Sequence, residues 1–232
     1  MKAMILAAGE GRRMLPLTQS TPKPLLKAGG ITLLERHILA LRDAGITDIV
    51  VNAAYLAEQI VQFCGDGSRW NVRISVTVEA QALETAGGII NALPLLGDAP
   101  FVLINGDVFS DVPLGILIDQ TVPKQGAHIL LVNNPAHNTA GDFILEGRTV
   151  KAAQTPTSGR AASNQTLTYA GLGIYHPDFF KGYDQGKRPL KPLLDAAIHK
   201  GRLAGSHWQG QWLDVGTPER LALLDKQLRD IP

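Results

Sequence analysis

Residues 2–25, KAMILAAGEGRRMLPLTQSTPKPL, govern the interpretation of the rest of the chain. The run from Lys2 to Ala8 is short and apolar, as a strand buried on both faces is. Beyond Ala8 the chain can be neither helix nor strand throughout, with glycines at 9 and 11, adjacent Arg12 and Arg13, and Lys23 held between Pro22 and Pro24. A strand that opens into a cationic, glycine-bearing loop points to an open α/β sheet, whose ligands bind beyond the carboxyl ends of the strands. Gly9 and Gly11 let the backbone approach a ligand and turn several N–H groups toward one point. Arg13 adds a planar fork of donors and Lys23 a mobile point charge. The stretch reads as a phosphate site.

Downstream of it, short apolar runs alternate with helical patterns, the signature of βαβ units. ITLLERHILALRDAG (31–45) puts Leu34, Ile38 and Leu41 on one helical face, with Gly45 as its stop. DIVVNA (48–53) is a second strand and YLAEQIVQF (55–63) a helix. NVRISVTVE (71–79) alternates Val72, Ile74, Val76 and Val78 as a strand with one less buried face, TAGGIINAL (85–93) is a short helix, and PFVLING (100–106) an apolar strand. These features predict an α/β fold with a doubly wound, mostly parallel sheet. After residue 125 strands such as GAHILLVNN and LTYAGLGIYH dominate, which predicts a smaller β-rich lobe within the same domain, 1–232. The polar stretch 154–166 is expected to be a solvated loop, with a substrate-closing lid as the alternative. Thr217 caps a last helix that begins with Pro218 and Glu219 and buries Leu221, Leu224 and Leu228.

The 22 Lys and Arg nearly balance 21 Asp and Glu, so neither nucleic acid nor an anionic membrane is the expected partner. A single cysteine, Cys64, excludes an intrachain disulfide and suits a reducing compartment. The apolar run Met4–Ala8 is too short for a secretory signal, so the expected location is cytoplasmic, as a monomer or small homo-oligomer. The start of a dinucleotide fingerprint, G-x-G, fails at its third glycine, where Met14 stands, and at the end of the second strand, where Asn52 replaces an acid. There is no G-K-[ST], no nucleophile elbow and no paired histidine spacing.

Two carboxylates stand where apolar runs end: Asp107 in NGD (105–107) and Asp214 in WLDVGT (212–217). An Asp at a strand end is commonly a turn residue. Two of them beside a phosphate loop can instead hold Mg²⁺, which takes one or two carboxylates and fills its octahedron with phosphate and water oxygens.

LAAGEGRRMLPLT followed by TPKPL resembles the signature of the sugar-1-phosphate nucleotidylyltransferases, and AGITDIVVNAAYL, LETAGGI, INGDV and WLDVGTPERL agree with it in order. The resemblance implies a Rossmann-like, GT-A-like fold whose residues 1–124 mainly bind a nucleoside triphosphate and whose residues 125–232 mainly bind the sugar. It implies that Ala8, Gly9 and Gly11 line the nucleotide, with Arg13 on the leaving pyrophosphate and Lys23 bridging the phosphates of both substrates. Leu83, Thr85, Ala86 and Gly87 would floor the base and ribose, with Glu79 nearby. Asn105, Gly141, Asp142, Ala170 and Gly171 would border the sugar phosphate, and Asp107 and Asp214 would hold Mg²⁺. Three features depart from the pattern: Arg12 stands where Ser or Thr is usual, Glu10 places an acid inside an anion-binding loop, and VKAAQTP (150–156) lacks a Glu-Lys-Pro triplet, for which Lys151 or Arg160 could substitute.

Within the family, LLGDAPF-x-L-x-NGDV, the GDF tripeptide at 141–143 and His176-Pro177 resemble the bacterial uridylyltransferases of N-acetylmuramate 1-phosphate, which serve cell-wall recycling. The implied substrates are UTP and that sugar phosphate, and the lactyl carboxylate would want a cation, for which Arg160 or Lys151 is the candidate. A compact guanylyltransferase for mannose or heptose 1-phosphate is the alternative enzyme. A binding-only regulatory subunit should have lost Arg13, Lys23 or one Asp of the pair, and all four are present.

Overall fold

A computed structural model of the chain describes residues 1–153 and 165–230. Almost all of the polar stretch 154–166 therefore lies outside the described residues, and so does Arg160. In chain order the elements are β1 (Lys2–Leu6), β2 (Lys27–Ala28), β3 (Ile31–Thr32), α1 (Leu33–Asp43), β4 (Asp48–Ala53), α2 (Ala57–Cys64), β5 (Arg73–Val78), α3 (Glu84–Leu96), β6 (Phe101–Asn105), β7 (Val108–Ser110) and α4 (Gly115–Ile118). They continue with β8 (Ala127–Val132), β9 (Phe143–Glu146), β10 (Thr149–Ala152), β11 (Thr166–Tyr175), α5 (Lys191–His199), β12 (Leu203–Trp208), β13 (Trp212–Asp214) and α6 (Pro218–Arg229).

One nine-stranded sheet runs through both halves in the order β5-β4-β1-β6-β11-β8-β12-β10-β9. From β5 to β6 every pairing is parallel. β11 then enters antiparallel between β6 and β8, and β12 returns to a parallel pairing with β8. The β-rich second half thus extends the doubly wound sheet. Alternation along β1 shows how both faces are filled. Ala3 and Ile5 join a core with Leu34, Ile38 and Leu41 of α1 and Leu117 of α4, whereas Met4 faces the other core with α3 and α5.

A third, smaller core sits beside the sheet, where Met14 and Leu26 pack with Phe109, Val215, Leu221 and Leu224. It fixes the irregular N-terminal stretch against α6. Met14 is fully buried, a contribution of roughly 1.5–3 kcal/mol. The residue that breaks the dinucleotide fingerprint is therefore the anchor of the loop.

Element ends differ from the sequence reading for local reasons. β1 stops at Leu6, because the N–H of Ala7 turns to the side-chain oxygen of Asn52 at 2.8 Å. α2 begins two residues later than expected, since Leu56 takes a left-handed conformation and Tyr55 is left to donate its hydroxyl to the Thr18 carbonyl. α3 is longer than expected at both ends and carries Pro94 into its last turn.

Candidate active site

The carboxyl ends of β1, β4 and β6 meet in a cavity of about 210 Å³, whose wall includes Ala7, Ala8, Gly9, Lys23, Asn52 and Asp107. Its back is braced by one buried chain of hydrogen bonds. Asn52 accepts from the Ala7 amide and donates to Glu79 Oε1 at 2.7 Å, while Glu79 Oε2 accepts from the Leu83 amide at 3.0 Å. Asn52 is 2% and Glu79 5% exposed. This ties the loop after β1 to the start of α3. Glu79 is accordingly a brace beneath the cavity, bonded to Asn52 on its wall.

Between residues 11 and 25 the chain runs through three 3-10 turns, Arg12–Met14, Leu17–Gln19 and Lys23–Leu25. Gly11 takes φ +63°, and its carbonyl accepts from the Thr18 hydroxyl at 2.9 Å and the Met14 amide at 2.8 Å. A β-carbon there would lie 2.9 Å from Thr18 Cγ2 and 3.2 Å from Lys23 Cβ, so glycine is what lets the two ends of the loop close on each other. Around Gly9, by contrast, there is open space, which leaves its backbone free to meet a ligand.

Lys23 is brought in fully. Its side chain is almost buried, and Nζ donates to Asp107 Oδ2 at 2.6 Å on the cavity wall. Arg12 is taken by Glu10, whose hydrogen bond raises the guanidinium's already high pKa. Arg13 is exposed, has no protein partner among the described residues, and does not line the cavity. The expected pyrophosphate contact is thus not preformed at Arg13.

Asp107 and Asp214 are placed by one short strand pair. In β7 and β13, Asp214 stands opposite Val108, and the Val215 amide donates to the Asp107 carbonyl at 2.7 Å. Asp214 contacts Arg220 and His137, the latter at 2.9 Å. Gly216 keeps this corner open, since a β-carbon there would sit 2.7 Å from Arg220 and 3.1 Å from Asp214. Behind Asp107 lies His37 of α1, buried and held neutral, its pKa pushed down to about 4 chiefly by burial although Asp107 pulls the other way. Among the described residues no group of three or more His, Cys, Asp or Glu could hold a metal by itself. Two hard carboxylates are a donor set that suits Mg²⁺ when substrate phosphates complete the shell.

A second cavity of about 520 Å³ adjoins the first, and the two share Glu84, Thr85 and Asn105. Its far wall is Asp142, Phe143, Tyr169, Leu190, Lys191 and Leu194. Asp142 is oriented by the Tyr169 amide at 2.8 Å and the Asn138 amide at 3.2 Å. Gly171, at φ +76°, lies against Asn105, where a β-carbon would come within 2.8 Å of the amide nitrogen. Asn105 borders both cavities, and its Oδ1 is buried with no partner among the described residues.

Other expected site residues support the walls from behind. Ala86 is fully buried in the core, and Gly87 packs so closely under residues 186–188 that a β-carbon would meet the Gly186 carbonyl at 2.2 Å. Leu83 does not line either cavity, and its carbonyl accepts from the Arg188 amide. Ala170 is buried, its carbonyl taken by Trp212 Nε1 at 2.9 Å, and Gly141 turns at φ +65° against Asn134. Lys151 is exposed on β10 and is not among the residues that line either cavity. Sequence reasoning missed Asn52, Tyr169, Leu190, Lys191 and Leu194. Only KPLLDAAI, with proline at the first turn and Leu193, Leu194 and Ala197 on one face, carried a signal that could have found α5.

Against known families, residues 2–230 match the model described as "Nucleotidyl transferase". The chain is 45% identical, over 95% of both sequences, to the N-acetylmuramate alpha-1-phosphate uridylyltransferase of Neisseria meningitidis. It is 28% identical, over 94% of its own length and 62% of the relative's, to the mannose-1-phosphate guanyltransferase of Hypocrea jecorina. Among solved structures, HddC from Yersinia pseudotuberculosis complexed with GMP-PN superposes with a TM-score of 0.78, at 22% identity, covering 97% of this chain and 98% of that one. That likeness concerns the fold.

Proposed function

The chain belongs to the nucleotidyl transferase family, and from that premise we propose that it joins UTP to N-acetylmuramate 1-phosphate, giving UDP-N-acetylmuramic acid and pyrophosphate. The observation that carries the reaction is the pair of cavities meeting at Thr85 and Asn105, with Lys23 on the wall of the first. One cavity suits a triphosphate and the other a sugar. The near full-length relative directs the choice of substrates.

The chemistry asks little of acid–base groups. A phosphate monoester has its second pKa near ~6, so at neutral pH the sugar phosphate already offers an anionic oxygen. That oxygen attacks the α-phosphorus, forming a new phosphoanhydride bond as the bond to the β-phosphate breaks and pyrophosphate leaves. The protein supplies alignment and cancellation of charge, the larger part of phosphoryl-transfer catalysis. Lys23 has three N–H donors, so it can keep its bond to Asp107 and still donate to phosphate oxygens of both substrates. Gly9 gives the triphosphate room against the backbone, and Asn105 stands where the two cavities meet. Asp107 and Asp214 would hold Mg²⁺, which when bound neutralises phosphate charge and polarises the phosphorus centre. Arg13 stands free to close on the leaving pyrophosphate. A soluble enzyme in the cytoplasm fits the use of UTP, and no helix among the described residues is long and apolar enough to cross a membrane.

The test is pyrophosphate release from the purified chain with Mg²⁺, each of UTP, GTP, CTP and dTTP, and a panel of sugar 1-phosphates. Release confined to UTP with N-acetylmuramate 1-phosphate is the expected result. Release with GTP and a mannose-type sugar would keep the mechanism and overturn the substrates.

A further inference from the structure

We infer that Lys191, on the wall of the second cavity, is the residue that selects a sugar phosphate carrying a carboxylate. The inference rests on the proposed reading of that cavity as the sugar site and names the group that would make it specific for muramate. Three observations converge on it. First, the cavity wall holds two acids, Glu84 and Asp142, and among its described residues Lys191 is the single cation. A carboxylated ligand entering beside two acids needs a countercharge within a few ångströms. Second, the ammonium of Lys191 sits 5.0 Å from the centre of the Phe143 ring, and Phe143 lines the same cavity, so the charge is held at the wall. Its present partner, Asp195 one turn further along α5 at 2.5 Å, forms an exposed i,i+4 pair. Such a pair binds weakly, and the ammonium has further protons to give. Third, Leu190 and Leu194 flank Lys191 on the same wall. A cation with apolar neighbours on both sides matches a lactyl ether, whose carboxylate and methyl group leave the same carbon. The remaining acids do not compete for the ammonium, because Asp142 is held by Asn138 and the Tyr169 amide while Glu84 lies 3.6 Å from Lys187.

The experiment is calorimetric binding of N-acetylmuramate 1-phosphate and of the same sugar phosphate with its carboxylate converted to the carboxamide, to the wild-type chain and to Lys191→Gln and Lys191→Arg. The wild type should prefer the carboxylate by about tenfold, the size of one charge-assisted hydrogen bond, Lys191→Gln should bind both ligands alike, and Lys191→Arg should restore the preference. Equal binding of both ligands by the wild type, or an undiminished preference in Lys191→Gln, overturns the role of Lys191 while leaving the proposed function standing. Binding of neither ligand by the wild type overturns the muramate reading itself, and this inference with it.

Discussion

Two residues bear different burdens in the candidate site, and substitution should separate them. The Lys23–Asp107 pair lies on a cavity wall with the carboxylate 38% exposed, so water can take over the charge when Lys23 is removed. Pairs of this kind contribute at most about 1 kcal/mol to folding. Lys23→Ala should therefore lower kcat/KM by about 10²–10³-fold, the scale of one donor aimed at transition-state charge, while the melting temperature moves by no more than about 2–4 °C. Steady-state pyrophosphate release and calorimetry would check both halves, and an intact rate would remove Lys23 from the mechanism. Glu79 is the opposite case. Glu79→Ala leaves the Asn52 amide and the Leu83 N–H buried without an acceptor. Two such groups cost about 2–6 kcal/mol, which in a domain of this size lowers the melting temperature by roughly 4–24 °C. KM for UTP should rise as well, because the Ala7 amide depends on the same chain.

Among the elements, the start of α3 is the part on which both cavities depend. Thr85 lines both, while Gly87 two residues on is zipped to the loop before α5, its amide donating to the Arg188 carbonyl and the Arg188 amide to the Leu83 carbonyl. Gly87→Ala would drive a methyl into the Gly186 carbonyl and push aside the segment that leads to Leu190 and Lys191. KM for the sugar phosphate should rise by about tenfold or more, with KM for UTP less affected, since displacements near 1 Å carry costs up to about 10²-fold. A second local device is the cap of α1. Thr32 Oγ1 accepts from the Glu35 amide at 3.0 Å, but Glu35 does not reach back as in a capping box; its carboxylate accepts from Trp70 Nε1 at 2.9 Å. Thr32→Ala should cost about 1 kcal/mol, or roughly 2–4 °C by calorimetry.

These elements also show where the sequence was informative. β4 was legible to the residue because a strand covered on both faces reads as a continuous apolar run. α6 was legible because cap, proline and leucine spacing agree. β11 is ten residues long, with a register shift between Tyr169 and Gly173 and three strands to pair with, and no local pattern encodes which strand it joins. The hairpin of β9 and β10 turns on Gly147, one glycine among 24. In the site, Lys23, Asp107 and Asp142 were readable because charged residues interrupt apolar runs or recur in a motif. Asn52 and Lys191 were not, since an Asn at a strand end and a Lys at a helix start are ordinary residues until the fold points them at a cavity.

For the molecule as a whole, the sheet imposes a dependence on pH through histidines it forces to stay neutral. His37 lies under α1 behind Asp107, and His128 of β8 is buried with Nε2 2.9 Å from Ser206 Oγ. Burial pushes each down to about 4 from an ordinary 6.5; Asp107 partly opposes this at His37, and Arg148 reinforces it at His128. Above pH 6.5 both rings are neutral whether the chain is folded or not, so their burial then costs no protonation energy. As pH falls from 6.5 toward 4, the unfolded chain binds two protons that the folded chain refuses, and stability is lost with acidification. Asp66, Glu219 and Asp225 are depressed carboxylates, which lose their contribution below the ordinary carboxylate range. Near pH 5 the histidines therefore dominate, with a slope on the order of 2–3 kcal/mol per pH unit. Denaturant titrations between about pH 5 and 6.5 should report an uptake of about two protons on unfolding, reduced to about one in His128→Gln. An uptake near zero in the wild type would mean that both rings carry their charge in the folded protein. That outcome would put a cation directly behind Asp107, where it would oppose the Mg²⁺ binding proposed for that carboxylate.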